Sequence, residues 1–335
     1  MNIIVLSNPG RAAPYVMMDL AEHFNGMGHN ARMVKVEDLF NLVSPPNTKE
    51  ALLELTSKIE ALNPDVVIGY GAVSLLYYKI QDGPLVNVLQ SMRIPMAGIF
   101  YDSPFHNEVF PAVASMAYSD IYHMFIWDRF YIGELEKLGF KNLHFMPIGT
   151  STTRYRKISE QAREASDFAC DVSFVGTWSP KRDLVLRRLA DFDLQIYGYG
   201  WDNASTGLRE KFRKTADNIT ELPFIYNFSK INVNVTMEQG ISSLNMRVFD
   251  VMACEGFLIS DYKSDFDELF DCEKEVVSYK HVDELPDLVR HYLDHDDERR
   301  EKARAARRRV LREHSYKRRA EFIIETLQSS GIGKG

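Results

Sequence analysis

Short apolar runs alternate with amphipathic segments along most of the 335-residue chain. Within each run the apolar residues are nearly continuous, which is typical of parallel strands that are buried on both faces and joined by helices. In the first half the pattern predicts strands at residues 3–7, 32–36, 65–70, 97–101, 124–127 and 143–147. Helices are predicted between them, including 15–24, 49–62 and 130–138.

The alternation breaks at the polar segment 149–171 and then restarts. We interpret that segment as the connection between two domains. Further strands are predicted at residues 172–175, 194–197, 231–235, 257–260 and 275–278. Further helices are predicted at 181–189, 245–254, 283–293, 297–313 and 317–327. The sequence therefore predicts an α/β protein of two doubly wound, parallel-sheet (Rossmann-like) domains facing across a cleft.

The composition narrows the class of protein. Basic side chains number 40 against 47 acidic ones, for a net charge of −7. Proteins that bind nucleic acid or anionic lipid carry a strong positive field, so neither partner is predicted. No transmembrane segment or signal peptide is predicted, and a cytoplasmic protein is expected. The cysteines Cys170, Cys254 and Cys272 form no CxxC pair, so no metal site is predicted.

The apolar stretch 244–261 carries polar residues at positions that a helix would bring together. Arg247 and Asp250 are three residues apart and would share one face of the helix. Gly256 is predicted to end the helix in the left-handed conformation. Asn245 and the unpaired N–H groups of the first turn would attract an anion, and Asp250 could bind a ribose diol. The alternative is an Arg–Asp pair that only satisfies itself.

The same stretch, SLNMRVFDVMACEGFLISDY, resembles the signature of the CgeB-like (spore-maturation type) glycosyltransferases, which have the GT-B fold. The segments DVSFVGTWSPKRDLVLRRL and YNFSKINVNVTM are similar to further blocks of that family. The resemblance implies transfer of a sugar from a UDP- or GDP-linked donor, without a metal or other cofactor. The acceptor is left open among glycans, lipid-linked sugars and proteins.

On that resemblance, Asp250 occupies the position of a glutamate that binds the ribose hydroxyls. Asn245, Met246 and Arg247 would lie in the donor site, beside the diphosphate. Two departures stand out: Asp250 is one methylene shorter than glutamate, and Ser242 replaces an acid that many retaining enzymes of this fold carry. Ribose geometry, sugar specificity and the choice between retention and inversion therefore stay open.

The resemblance also sets the expected domain boundaries. Residues 1–155 would form the acceptor-side domain and residues 168–312 the donor-binding domain. The final segment, 313–335, would form a helix that crosses back to the first domain.

Four further candidates follow the first strand of the second domain. Gly176 and Thr177 would let the backbone approach a ligand, and Lys181 and Arg182 lie in the helix that follows. Arg182 is the candidate for stabilising the departing diphosphate in the transition state, with Lys181 assisting. The alternative is a turn glycine followed by two solvated surface cations.

The next strand ends in a second glycine-rich loop. Its glycines, Gly198 and Gly200, do not complete a GxGxxG pattern because position 203 is Asn203, so a dinucleotide fingerprint is not predicted. Tyr199 and Gly200 are candidates for contact with the nucleobase. The alternative is a strand exit closed by a buried Trp201.

In the first domain, Asp102 and His106 follow a predicted strand. Because α/β folds place chemistry at the carboxyl ends of strands, Asp102 is the first candidate for a general base and His106 the second. The alternative is a turn aspartate before a proline and a surface histidine. Asp128 follows another strand and is predicted to be a helix N-cap.

The arginine-rich segment 301–313 is interleaved with alanines and follows several acids. It predicts a solvated helix with many ion pairs rather than a nucleic-acid site.

Two other function classes stay open. A nucleotide-sugar epimerase would share the fold but would act on the donor alone. A non-catalytic nucleotide-sugar-binding protein would bind the donor and transfer nothing.

Overall fold

The computed structural model describes residues 1–7, 13–35, 49–71, 84–105, 110–114, 119–159, 161–162 and 165–333. By its internal contacts the chain divides into two compact units. Unit 1 comprises Met1–Pro147, Gln239–Ile241 and Tyr316–Gly335. Unit 2 comprises Ile148–Glu238 and Ser242–Ser315.

Unit 1 is built on a sheet of six strands. Its strands are β1 Asn2–Ser7, β2 Asn30–Lys35, β3 Val66–Tyr70, β4 Met96–Phe100, β5 Tyr122–Ile126 and β6 Leu143–Phe145. Its first helices are α1 Ala13–Gly26, α2 Lys49–Leu62, α3 Pro84–Ser91, α4 Phe110–Ala114 and α5 Arg129–Lys137.

Unit 2 has a second six-stranded sheet. Its strands are β7 Cys170–Val175, β8 Leu194–Tyr197, β9 Phe212–Lys214, β10 Ser229–Asn234, β11 Leu258–Asp261 and β12 Val277–Tyr279. Its helices are α6 Ala165–Phe168, α7 Pro180–Leu186, α8 Thr206–Arg209, α9 Leu222–Phe228, α10 Met246–Ala253, α11 Asp265–Leu269, α12 Leu285–Asp294 and α13 Asp296–Glu313. Short 3₁₀ turns lie at Arg187–Leu189, Trp201–Asn203 and Val282–Glu284. The last helix, α14 Tyr316–Ser329, belongs to unit 1, where it packs against α1.

All strand pairs of both sheets are parallel. The strand order is β2-β1-β3-β4-β5-β6 in unit 1 and β9-β8-β7-β10-β11-β12 in unit 2. The order therefore reverses between β1 and β3, and again between β7 and β10. Ligands of doubly wound sheets bind at the carboxyl ends of the strands beside such a switch point. A ligand site in unit 2 is therefore expected at the carboxyl ends of β7 and β10.

The prediction of two doubly wound parallel sheets is confirmed. The central strands are buried on both faces, as their continuous apolar sequence requires: the side chains of β1 from Ile3 to Leu6 are at most 1% exposed. The short strand β9 and helix α9 were not predicted. β9 lies at the edge of its sheet and has exposed polar residues, so its sequence carries no burial signal.

The end of α10 differs from the prediction. The left-handed residue is Glu255, with φ of 62°, and not Gly256. The amides of Glu255 and Gly256 donate to the carbonyls of Met252 and Val251, which closes a Schellman motif. Gly256 is needed for a different reason, because a Cβ there would lie 2.5 Å from the carbonyl oxygen of Tyr226. Holding a non-glycine residue left-handed costs roughly 1–2 kcal/mol.

Helix α13 has the ion pairs that its sequence predicts. Arg309, for example, bonds both Glu275 and Glu313. None of the helices in the described ranges has the length and hydropathy needed to cross a membrane.

Candidate functional site

Arg182 joins the two chain segments that leave the switch-point strands of unit 2. Its Nε and Nη2 atoms donate to the carbonyl oxygen of Val235, after β10, at 3.1 and 3.0 Å. Its Nη1 atom donates to the carbonyl of Thr177, after β7, at 2.7 Å. The side chain comes from α7, which Ser179 caps, and Arg182 is only 4% exposed. Arg182 therefore holds the ends of β7 and β10 in a fixed relation.

A second guanidinium lies near the first. The Cζ atoms of Arg182 and Arg247 are 5.5 and 5.8 Å from the centre of the Phe174 ring. Burial lowers the pKa of Arg182 to about 9, and the charge of Arg247 contributes to that shift. The guanidinium is still protonated at neutral pH. Two cations near one aromatic ring make the switch point attractive to an anion.

Lys181 supplies a third cation at the same edge of the sheet. Its Nζ donates to the carbonyl of Thr236 at 2.7 Å and lies 3.5 Å from Oδ2 of Asp261. Asp261, at the end of β11, accepts bonds from the N–H and the hydroxyl of Thr236, both at 2.9 Å. The Lys181 side chain is 37% exposed, so the ammonium group can still meet a ligand.

Asn234, the last residue of β10, organises the start of α10. Its Oδ1 accepts from Nδ2 of Asn245 at 2.9 Å and from Nη1 of Arg247 at 2.8 Å, and its own Nδ2 donates to Ser260. Within the described ranges, Oδ1 of Asn245 and Nε of Arg247 are buried without a hydrogen-bond partner. Buried polar atoms normally have partners, so these two atoms mark where a bound ligand would supply them. Met246 is the half-buried first residue of the helix.

Asp250 lies one turn further along α10 and is only 3% exposed. Its Oδ1 accepts a hydrogen bond from the hydroxyl of Thr150 at 2.6 Å. Thr150 is fully buried, and its N–H donates to the carbonyl of His314 at 2.9 Å. Arg247 and Asp250 thus direct their bonds to different partners, Asn234 and Thr150, although they share a helix face.

The loop after β8 packs directly on the loop after β7. Gly198 has φ of 135°, and a Cβ there would lie 2.1 Å from the carbonyl oxygen of Gly176. That carbonyl accepts a bond from Nε1 of Trp201 at 2.8 Å, and Trp201 is fully buried. The buried tryptophan agrees with the alternative interpretation of this loop, a strand exit that Trp201 closes. Tyr199 is instead 42% exposed, and the left-handed Gly200 follows it.

The unit 1 candidates lie at the ends of β4 and β5. Asp102 is exposed, and its Oδ1 accepts from Nε2 of Gln239 at 2.7 Å. Asp128 caps α5 through the N–H of Phe130, at 3.0 Å, which confirms the N-cap prediction. His106 lies outside the described residues.

The sequence reasoning missed two side chains that organise the site. Asn234 had a detectable signal, because Asn232 and Asn234 alternate with apolar residues in a strand whose residues are nearly all buried. Buried amides in a strand require specific partners. Thr150 had no such signal, because its partner Asp250 is 100 residues away in sequence.

Comparison with known proteins gives one family match. A family model described as "Glycosyl transferase-like" matches residues 182–325, most of which lie in unit 2. None of the curated protein sequences matches this chain.

Solved structures with a similar fold cover the whole chain. A glycosyltransferase from Rickettsia africae is 11% identical with a TM-score of 0.73, covering 99% of both chains. HepE of Anabaena, solved in complex with UDP, is also 11% identical with a TM-score of 0.73, covering 98% of this chain and 100% of its own. Sucrose-phosphate synthase from Thermosynechococcus elongatus is 12% identical with a TM-score of 0.67, covering 98% of each chain. At this level of identity the likeness establishes the fold.

Proposed function

We propose that the chain, which has the GT-B fold, is a glycosyltransferase that moves a hexose from a UDP-linked donor to an acceptor hydroxyl. We place the donor site at the switch point of unit 2, where β7 and β10 end. There Asn245 and Arg247 each keep a buried polar atom without a partner in the described ranges. Structures of HepE were solved with UDP and with UDP-glucose, which supports the choice of a uridine nucleotide.

In this proposal the start of α10 binds the diphosphate. Nε of Arg247 donates to a phosphate oxygen, and the amides of the first helical turn face the same negative charge. Oδ1 of Asn245 accepts from a donor hydroxyl. Tyr199, exposed after β8, stacks on the base. On the resemblance of this helix to the family signature, Asp250 is proposed to bind the ribose hydroxyls.

We also propose that side chains of unit 2 compensate the charge of the departing UDP, in place of a divalent metal. Lys181 is the best placed, because its ammonium group is partly exposed. Arg182 is committed to the carbonyls of Thr177 and Val235, so its role is to position the two loops and to add to the positive field. Activity that survives excess EDTA would support this part of the proposal.

On unit 1 we propose Asp102 as the base that deprotonates the acceptor hydroxyl, as an inverting reaction requires. Its carboxylate is exposed and oriented by Gln239. Asp102→Asn should then lower kcat and leave the affinity for UDP unchanged. Equal kcat in the variant and the wild type would remove Asp102 from this role.

The finer assignment, to the CgeB-like glycosyltransferases, is part of the proposal. It rests on the resemblance of residues 244–262 and of the blocks around β7 and β10. A cytoplasmic location is also proposed, and cell fractionation would test it.

Isothermal titration with UDP and GDP tests the donor site. Arg247→Met should weaken UDP binding by more than about tenfold, the loss of one charge-assisted contact in a desolvated site. Arg188→Met is the matched control, because Arg188 pairs with Asp283 on the surface of the same unit. Wild-type protein that binds neither nucleotide would refute the proposal.

Product analysis separates the remaining function classes. Incubation of UDP-glucose alone should give no epimer, whereas an epimerase would produce one. A pool of glycan and lipid-linked acceptors should release UDP and yield a glycosylated product. Binding with no turnover on any acceptor would favour a non-catalytic protein.

A further inference from the structure

A cavity of about 240 Å³ opens in unit 2 at the amino ends of β10 and β11. Ser229 begins β10 and Phe257 precedes β11, and both line the cavity. The remaining walls come mainly from the last residues of α9, the end of α10 and the first half of α13. Because the strands are parallel, the cavity lies at the opposite edge of the sheet from the proposed donor site. The cavity is therefore separate from that site, and none of the proposed donor-site residues lines it.

The cavity is strongly cationic, although the chain as a whole carries a net charge of −7. One carboxylate, that of Glu255, belongs to its lining. Five basic side chains line it: Lys157, Lys230, Arg299, Arg300 and Arg304. Acids satisfy part of this charge: Glu255 binds Lys157, Asp171 binds Lys230, and Asp296 binds both Arg299 and Arg300.

Positive charge remains after these pairs are counted. Arg304 makes no hydrogen bond or ion pair with any residue in the described part of the chain. The carbonyl groups at the end of α10 have a different arginine as partner, because Nε of Arg307 donates to the carbonyl oxygen of Ala253 at 3.1 Å. A concave surface with excess cations favours a small anion, since its walls concentrate the field.

Glu255 already places a carboxylate in this cavity. It is the left-handed residue that closes the Schellman motif at the end of α10. Its carboxylate lies 2.6 Å from Nζ of Lys157 and 3.9 Å from Nη1 of Arg307. The chain thus supplies one carboxylate of its own to the cations of the cavity.

We propose that this cavity binds a phosphate group, as the free ion or on a small phosphate ester. Its volume is below the roughly 300–1,000 Å³ of pockets that enclose drug-sized ligands, so a whole nucleotide is not expected to fit. Arginine forks and lysine ammonium groups are the side chains that recognise phosphate oxygens. The inference goes beyond the proposed function and does not depend on it.

The test is isothermal titration of the full chain with inorganic phosphate and with glucose 6-phosphate at constant ionic strength. Glucose serves as the uncharged control. Arg304→Ala should weaken phosphate binding by about fivefold or more, the effect of one charge-assisted contact. Glu255→Gln should tighten it about threefold or more, because the competing carboxylate is removed while the side-chain shape is kept. Tighter binding of glucose 6-phosphate than of phosphate would identify the ester as the ligand.

Two variants make the result specific. Arg308→Ala removes an exposed cation one turn further along α13, outside the cavity, and should leave the affinity unchanged. Arg247→Met alters the proposed donor site and should also leave phosphate binding unchanged. The proposal is overturned if wild type and Glu255→Gln show no saturable binding, if Arg304→Ala and Arg308→Ala behave alike, or if Arg247→Met abolishes the signal.

Discussion

Replacing Thr150 by valine removes the hydroxyl that binds Asp250 and keeps the shape of the side chain. The bond is short, at 2.6 Å, and its residues are 0% and 3% exposed, so water cannot readily replace the lost donor. Removing the donor leaves a buried acceptor atom without this hydrogen bond, which costs about 1–3 kcal/mol. We therefore expect Thr150→Val to lower the free energy of unfolding of unit 2 by about 2 kcal/mol.

Urea denaturation followed by tryptophan fluorescence measures this loss. Trp178 and Trp201 report on unit 2, whereas Trp127 belongs to unit 1. For a unit of this size, about 2 kcal/mol corresponds to a fall of roughly 4–8 °C in melting temperature. Thr150→Ser retains the hydroxyl and should recover most of the stability.

A double-mutant cycle with Asp250→Asn assigns the loss to this contact. If the bond is the cause, Thr150→Val should cost clearly less in the Asp250→Asn background than in the wild type. The reasoning is refuted if Thr150→Val changes stability by less than about 0.5 kcal/mol, the usual range for inconsequential substitutions. An equal loss in both backgrounds would refute it as well.

Two further predictions concern packing and pH. Gly198→Ala should destabilise unit 2 by more than about 2 kcal/mol, because its Cβ would lie 2.1 Å from the carbonyl oxygen of Gly176 at a φ of 135°. Gly207→Ala is the control, since its Cβ would meet nothing within 4 Å, and thermal melting compares the two. In unit 1, burial and the neighbouring His144 lower the pKa of His123 from 6.5 to about 4, so the unfolded chain binds this proton first. The free energy of unfolding should then fall as pH drops from 6.5 towards 4, by about 2 kcal/mol at pH 5. His123→Asn removes this titration and should flatten the curve of unfolding free energy against pH. An unchanged slope in that variant would show that other groups cause the loss.

The sequence by itself determined the two parallel sheets. Short continuous apolar runs such as residues 3–6 and the run that became β11 are typical of strands buried on both faces, because a half-exposed strand alternates between apolar and polar residues. It also determined where the polar residues of α10 lie, since the spacing of Asn245 and Arg247 on a helix follows from sequence alone. The ion pairs within α13 could also be predicted from the sequence, because charged residues three and four positions apart are neighbours on a helix.

The tertiary structure decided what those side chains touch. Asn234 brings Asn245 and Arg247 together, Thr150 binds Asp250 across 100 residues, and Arg182 is directed at two backbone carbonyls. The sequence marks Asn234 as a buried amide, but it does not show which residues these side chains bind, because the strand order decides which strand ends become neighbours in the sheet. The cationic cavity has the same origin: α13 alone is a solvated helix, and its arginines surround a pocket only where α9 and α10 end beside it. Local spacing fixes the elements, whereas contacts between residues far apart in sequence depend on the strand order.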